Sequence, residues 1–78
     1  FEYSYDYMNR MFKKIIGKTI FQYLTHIRIN QAKMLILHTS MKMGEIGKKV
    51  GIPDEYYFNK IFKKHVGLPP ASYAKNYQ

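Results

Sequence analysis

The chain has 78 residues, 46% of them apolar, and a formal net charge of +8 from 13 Lys and Arg against 5 Asp and Glu. This length makes one small domain, and the apolar and aromatic content excludes a disordered tail. The positive charge points to a polyanionic partner, either nucleic acid or an acidic surface. The chain has no cysteine, and its longest apolar run, MLIL at residues 34–37, is too short to span a membrane.

Spaced glycines and prolines divide the chain into helical segments, and no strong strand pattern appears. The first helix is predicted from about Ser4 to Ile16. Ser4 is its expected N-cap, and Gly17 is expected to adopt the left-handed conformation at its C-terminus. An apolar stripe follows helical spacing on one side of this helix: Tyr7, Met8, Met11, Phe12 and Ile15.

A second and longer helix is predicted after Thr19. The sequence TIFQ is a capping box, with Thr19 as the cap and Gln22 bonding back to it. Because no helix breaker occurs before His38, the helix has about 19 residues and a length of about 28 Å. We expect one face of it to carry Ile20, Leu24, Ile27 and Leu35.

Residues 42–66 show the pattern of a helix-turn-helix, with a short helix at about 42–50, a turn, and a second helix at about 54–66. In such motifs the second helix, called the recognition helix, enters the major groove of DNA. Gly47 inside the short helix costs about 1 kcal/mol relative to Ala, so we expect another chain segment to approach closely there. Pro70 predicts the start of a last short helix.

The stretch YMNRMFKKIIG, residues 7–17, returns as YFNKIFKKHVG at residues 57–67. At an offset of fifty, seven of seventeen positions are identical over 7–23 and 57–73. This similarity indicates an internal duplication of one supersecondary unit. The matches Asn9/Asn59 and Arg10/Lys60 lie on the predicted outer faces and are not needed for packing, so both copies are expected to bind the same kind of ligand. Two recognition helices at the ends of the long helix would lie roughly one DNA turn apart, about 34 Å.

Four stretches together carry a resemblance to a known family: YMNRMFKKIIGKTIFQYL, RINQAKMLIL, EIGKKVGIPDEYYFNKIFKKHVG and PPASYAKNY. They cover nearly the whole chain, which resembles the DNA-binding domain of AraC/XylS-type bacterial transcription regulators. The resemblance implies an all-α fold with tandem, homeodomain-like helix-turn-helix units joined by a long linker helix. It further implies a bacterial, cytoplasmic regulator, of the activator type, that binds promoter DNA and, through the complete protein, RNA polymerase.

The same resemblance predicts the organisation of the chain. In that family a scaffold helix and the first helix of the first helix-turn-helix lie upstream of the turn that FEYS resembles, so we expect the first unit to be incomplete. Its apolar stripe would then fray or be covered by another copy of the chain. The predicted segments are the remainder of the first unit (1–18), the linker helix (19–39), the second unit (42–66) and the C-terminal helix (70–77).

The candidate DNA contacts fall into two groups. The base-contacting candidates are Asp6, Asn9, Arg10, Glu55, Tyr56, Asn59 and Lys60, and the phosphate-contacting candidates are Lys13, Lys14, Thr19, Lys63 and Lys64. Arg10 can donate two hydrogen bonds to guanine, and an asparagine can pair with adenine or be an ordinary exposed amide. The family usually has Ser-Arg where this chain has Asn59-Lys60 and Ser where it has Tyr56, and Lys60 cannot make the two-pronged contact of Arg.

Several of these residues have a second interpretation that needs no DNA. Compensation of the helix dipole is favoured for Asp6 and Glu55 over contact with cytosine. Tyr56 could contact thymine or phosphate, or simply pack. The four lysines are also favoured at helix C-termini, and Thr19 is also expected as an N-cap. Both structural roles are compatible with phosphate contact. Arg28, in the sequence RINQA, could contact phosphate, but bracing of the two halves is the favoured interpretation.

No pattern in the chain indicates an enzyme, a metal site or a cofactor. The three histidines are at least twelve residues apart, without metal-ligand spacing, and no nucleophile motif or glycine-rich phosphate loop occurs. Two function classes remain: sequence-specific binding of double-stranded DNA, and a basic helical module that binds a protein or an acidic surface. The Asn- and Arg-bearing outer faces favour the first, because a non-specific binder would need only lysine.

Overall fold

The computed structural model describes residues 4–77, which form five α-helices and no strand. The helices are α1 (Tyr5–Ile16), α2 (Ile20–His38), α3 (Met43–Lys49), α4 (Glu55–Val66) and α5 (Pro70–Tyr77). The prediction of an all-helical fold is therefore confirmed for this part of the chain. Residues 1–3, which belong to the predicted 1–18 segment, lie outside the described residues.

Local side-chain chemistry sets the ends of α1. The Ser4 hydroxyl accepts a hydrogen bond from the Tyr7 N–H at 3.1 Å, which satisfies one of the free donors of the first turn. At the other end Gly17 has a φ of +91°, and its N–H donates to the Lys13 carbonyl at 2.7 Å. A residue with a Cβ is strained in this conformation, so glycine ends the helix here.

The long helix α2 begins with the predicted capping box. The Thr19 hydroxyl accepts from the Gln22 N–H at 3.1 Å, and the Gln22 side chain accepts from the Thr19 N–H at 3.0 Å. The helix then runs for 19 residues to His38, as predicted. In the described part of the chain, no helix combines the length and the apolar composition needed to cross a bilayer.

The buried face of α2 is not the predicted one. The side chains that it buries are Thr25, Ile29, Ala32 and Ile36. On the predicted apolar face Leu24 is 42% exposed and Ile20, Ile27 and Leu35 are half-buried, so this face is not the buried one. Apolar residues occur all round this helix, and their spacing therefore does not select a face. Small side chains at positions 25 and 32 let neighbouring helices approach, and the Thr25 hydroxyl donates to the Phe21 carbonyl at 2.9 Å.

The core joins α2 with the three helices that follow it. Its members are Ile29, Ala32, Ile36, Ile46, Val50, Ile52, Phe58, Phe62 and Tyr73. Helix α1 packs against α2 but buries none of its residues. The molecule is elongated, with extents of 47 × 21 × 20 Å. The C-terminal three helices thus form a packed unit around one part of α2, and α1 lies against another part.

A close contact fixes the angle between α3 and α4. A Cβ on Gly47 would lie 2.7 Å from the Ile52 carbonyl oxygen and 3.3 Å from Cγ of Phe58. The Ile52 N–H also donates to the Gly47 carbonyl at 2.7 Å. The predicted close approach at Gly47 is confirmed, because only glycine leaves room for the turn and for the fully buried Phe58 ring.

Arg28 links α2 to the turn between α3 and α4. This turn contains Gly51, whose φ is +91°, and a Cβ there would lie 3.2 Å from Nε of Arg28. Arg28 is half-buried, and its guanidinium lies directly against the turn. This contact joins the linker helix to the second unit, and the bracing of both halves by Arg28 stays a prediction.

Candidate nucleic-acid interface

The duplication visible in the sequence is also present in the local structure. The Phe12 and Tyr23 rings meet edge-to-face, with centroids 5.3 Å apart at 65°, and the Phe62 and Tyr73 rings repeat this contact at 5.5 Å and 69°. Each ring of the second pair lies fifty positions after its counterpart in the first pair. Each pair joins a candidate recognition helix to the helix that follows it, so the two copies are built alike.

The helix ends of the two copies match as well. Asp54 caps α4 by accepting from the Tyr57 N–H at 2.9 Å, as Ser4 does for α1. Gly67 ends α4 with a φ of +94°, and its N–H donates to the Lys63 carbonyl at 2.8 Å. The two candidate recognition helices therefore have equal length, 12 residues each, and the same kind of cap at each end.

Ten of the candidate residues are exposed: Asp6, Arg10, Lys13, Lys14, Glu55, Tyr56, Asn59, Lys60, Lys63 and Lys64. On α4 the spacing of Tyr56, Lys60 and Lys63 places them on one face, opposite the buried rings of Phe58 and Phe62. Tyr56 is 78% exposed, which excludes the interpretation that it packs in the core. On α1 the positions offset by fifty carry Asp6, Arg10 and Lys13. The structure thus presents a polar, largely basic face on both helices.

Asn9 has a structural role, contrary to the assumption of the sequence analysis that it is not needed for packing. Its side-chain oxygen accepts a hydrogen bond from the Ile20 N–H at 2.8 Å, and the contact is partly buried. Asn9 therefore satisfies a free donor at the N-terminus of α2 and ties α1 to that helix. The assumption that the Asn9/Asn59 match is not needed for packing is wrong for Asn9, although a role in base contact stays a prediction.

Asn59 differs because of one residue elsewhere in its copy. The position that corresponds to Ile20 is Pro70, which has no N–H to donate. Asn59 instead donates from Nδ2 to the Glu55 carbonyl at 3.0 Å and stays exposed. Its side-chain oxygen is therefore not used as a helix cap, whereas that of Asn9 is.

Two further candidates have the structural role that the sequence allowed. Thr19 is half-buried and caps α2. A carboxylate oxygen of Glu55 would lie 3.7 Å from a Cβ on Gly44, so the Glu55 side chain lies beside the first turn of α3. Glu55 also lies in the first turn of α4, where the dipole of that helix favours a negative charge, so the electrostatic interpretation of Glu55 stays a prediction beside cytosine contact.

Sequence reasoning did not select Lys18, His26 and His65, which the structure brings together. They line a groove of about 490 Å³ between α2 and α4, together with Lys64. These residues are far apart in sequence, so no local sequence pattern could have selected them. The groove forms only where α2 and α4 cross. In the described residues, no group of three or more His, Asp or Glu side chains could hold a metal ion.

The chain is basic, its described residues 4–77 are helical without a strand, and α3 and α4 form a helix-turn-helix whose second helix resembles α1 in sequence. These are the features of a helix-turn-helix domain. A family model described as "Helix-turn-helix domain" matches residues 1–76. The chain belongs to this AraC-type family of helix-turn-helix domains.

Similar proteins agree with this assignment. A Bacillus subtilis protein, "Uncharacterized HTH-type transcriptional regulator YisR", is 40% identical over 73 residues, which is 94% of this chain and 25% of that protein. The chain thus spans a quarter of the length of this relative. The C-terminal domain of the two-component response regulator yesN from Fusobacterium nucleatum has a TM-score of 0.88 at 39% identity, covering 91% of this chain and 69% of that one.

A third similar structure contains DNA. The DNA-binding domain of AdpA in complex with a target DNA has a TM-score of 0.89 at 24% identity, covering 95% of this chain and 67% of that one. At this identity the likeness concerns the fold. Helices arranged as in the present chain are therefore found in a domain that binds DNA.

Proposed function

We propose that the chain binds double-stranded DNA sequence-specifically as part of a bacterial transcription regulator, with α1 and α4 in successive major grooves. The observation that carries this proposal is the repetition of one complete local design. Both helices have an N-cap side chain of the same geometry, a left-handed glycine at the C-terminus, the same edge-to-face ring pair and a polar, basic outer face. Core packing does not require the outer faces of the two helices to be alike. A ligand that repeats along its axis, as double-stranded DNA does, requires two similar binding faces.

The linker helix suits this use. Helix α2 has 19 residues, so it is about 28 Å long, and α1 and α4 both pack against it. Successive major grooves on one side of a duplex are about 34 Å apart. One chain would therefore bind two half-sites of the DNA, for which a dimeric repressor needs two chains.

The two half-sites are expected to differ in stringency. Arg10 on α1 can bind guanine through two parallel hydrogen bonds, whereas Lys60 at the matching position of α4 supplies a single point charge. Phosphate contacts from Lys13, Lys14, Lys63 and Lys64 would add affinity without base preference. The cytoplasm as location, the absence of an enzymatic activity and a contact of the whole protein with RNA polymerase are part of the same proposal.

Selection of binding sites from a random DNA library tests the proposal. We expect enrichment of sequences with two conserved blocks about one helical turn apart, with the block contacted by α1 the more stringent. Equal recovery of all sequences would contradict the proposal and would favour the alternative, a basic module that binds acidic surfaces.

The salt dependence of binding tests the phosphate contacts separately. Lys63→Ala should lower the slope of log affinity against log salt by about 1 and leave the selected sequence unchanged. An unchanged slope would assign Lys63 to the C-terminus of α4 alone.

A further inference from the structure

The two equivalent asparagines differ in which end of the side-chain amide is bonded to the protein. Asn9 uses its oxygen, since Oδ1 accepts from the Ile20 N–H at 2.8 Å. Asn59 uses its nitrogen, since Nδ2 donates to the Glu55 carbonyl at 3.0 Å. Within the described residues 4–77, neither Nδ2 of Asn9 nor Oδ1 of Asn59 has a hydrogen-bond partner. The free end of the amide is therefore a donor in the first copy and an acceptor in the second.

Both asparagines lie beside candidate base contacts on the surface of their helix. Asn59 is exposed and follows Tyr56 by three residues, a spacing that makes two side chains neighbours on a helix. Asn9 is half-buried and follows Asp6 by the same spacing. When a recognition helix lies in the major groove, the amide at this position is therefore a candidate for contact with a base edge in either copy.

The major groove presents complementary partners for the two ends of an amide. Adenine and cytosine carry an amino group there, whereas guanine and thymine carry a carbonyl oxygen. A free amide nitrogen favours guanine and thymine, and guanine most, because its N7 is a second acceptor. A free amide oxygen favours adenine and cytosine. Adenine is the better of these two, because its N7 also accepts from the second N–H of the same amide.

We propose that the first residue of the helix after each recognition helix decides which bases the asparagine of that copy selects. The Ile20 N–H occupies the oxygen of Asn9, so Asn9 selects guanine or thymine in the half-site of α1. Pro70 has no N–H, so Asn59 keeps its oxygen free and selects adenine or cytosine in the half-site of α4. Ile20 and Pro70 are thus positioning residues that act on base choice through the asparagines. The inference rests on the proposed function.

The backbone at the start of α2 can accept proline in place of Ile20. Ile20 is the first residue of its helix, where proline is well tolerated, and Pro70 occupies the same place in α5. Thr19 has φ −68° and ψ 163°, the extended conformation that a residue before proline favours. Ile20→Pro therefore removes the N–H and keeps the helix start. Asn9 is then expected to donate from Nδ2 to the Tyr5 carbonyl, four residues earlier, as its counterpart in α4 does.

Binding-site selection from random DNA with the full-length protein tests the base choice of each asparagine. Asn9→Ala and Asn59→Ala identify the base that each asparagine contacts, as the position at which preference falls most. We expect guanine or thymine at the position of Asn9 and adenine or cytosine at the position of Asn59, each preferred about tenfold. The opposite assignment, or unchanged preference in both variants, would overturn the inference.

Ile20→Pro and Ile20→Ala form a matched pair, because both remove the isoleucine side chain and only Ile20→Pro removes the N–H. In the full-length protein, Ile20→Pro should change the preference at the position of Asn9 to adenine or cytosine, by about tenfold. Ile20→Ala should keep guanine or thymine there. The half-site of α4 should be selected unchanged by both variants, which confirms that the second unit is folded. An Ile20→Pro protein that still selects guanine or thymine would overturn the inference.

Pro70→Ala tests the second copy and does not depend on the folding of Ile20→Pro. It restores an N–H at the start of α5, so the oxygen of Asn59 should accept from it and the preferred base should change to guanine or thymine. A folded Pro70→Ala protein that keeps adenine or cytosine would overturn the inference. Two selected blocks without the expected base choice would overturn the inference alone. Recovery of random sequences by the unchanged protein would overturn the proposed function and the inference together.

Discussion

The two copies of the repeat have the same local geometry but very different support. Phe62 and Phe58 in the second copy are fully buried, whereas in the first copy Phe12 is half-buried and Met8, at the position of Phe58, is 48% exposed. The second copy packs against α3 and α2 and has α5 behind it. Helix α1 buries no residue. Caps and ring pairs are therefore determined locally, and burial depends on the elements that surround each copy.

The comparison also shows how one residue changes the role of another. Asn9 and Asn59 are identical and occupy equivalent positions, yet only Asn9 is used to cap the next helix. The reason is that Ile20 has an N–H and Pro70 does not. Identity between two copies of a repeat is thus no proof of identical function.

The largest expected difference between the copies concerns the paired phenylalanines. Phe62→Ala should cost about 3–5 kcal/mol of unfolding free energy, because it leaves a cavity in the core. Phe12→Ala removes the same ring from the equivalent contact but should cost on the order of 1 kcal/mol, since water already reaches that ring. Denaturant unfolding of both variants measures this, with Phe62→Leu as a milder variant should Phe62→Ala fail to fold. Equal losses would show that the two copies have equal support.

A second difference concerns base recognition. Arg10→Ala in the full-length protein should cost about 1–3 kcal/mol of binding free energy and relax base preference in the half-site of α1 alone. Lys60→Arg, at the matching position, should sharpen the preference in the other half-site because it restores a two-pronged donor. Binding-site selection with each variant measures both effects. A uniform loss of affinity for all sequences would make Arg10 a phosphate contact.

The smallest expected difference separates the two asparagines. Asn9→Ala should cost about 1 kcal/mol of stability, because the partly buried Ile20 N–H loses its acceptor. Asn9→Asp keeps an acceptor and should recover most of the loss. Asn59 is exposed, so Asn59→Ala should change stability by less than about 0.5 kcal/mol. Thermal unfolding of the three variants decides the matter, and a larger loss from Asn59→Ala than from Asn9→Ala would refute the distinction.

Features governed by neighbours in sequence could be predicted without a structure. The helix ends, the capping box at Thr19 and the close approach at Gly47 depend on residues a few positions apart, and all are confirmed. The buried face of α2 was missed, because its apolar residues surround the helix. The bond from Asn9 to Ile20 and the groove at His65 were missed for a related reason. Both depend on how helices cross, which periodicity does not record.

Hydrogen exchange on a dilute, verified monomer, with and without a selected duplex, tests the central claim most directly. The claim is that α1 and α4 are equivalent recognition helices on unequal supports. Without DNA, amides of residues 5–16 should exchange faster than those of residues 55–66, because α1 lacks buried residues. With DNA, protection of α1 should rise towards that of α4. Equal protection of both helices in the free protein, or no gain at α1 on binding DNA, would contradict the claim.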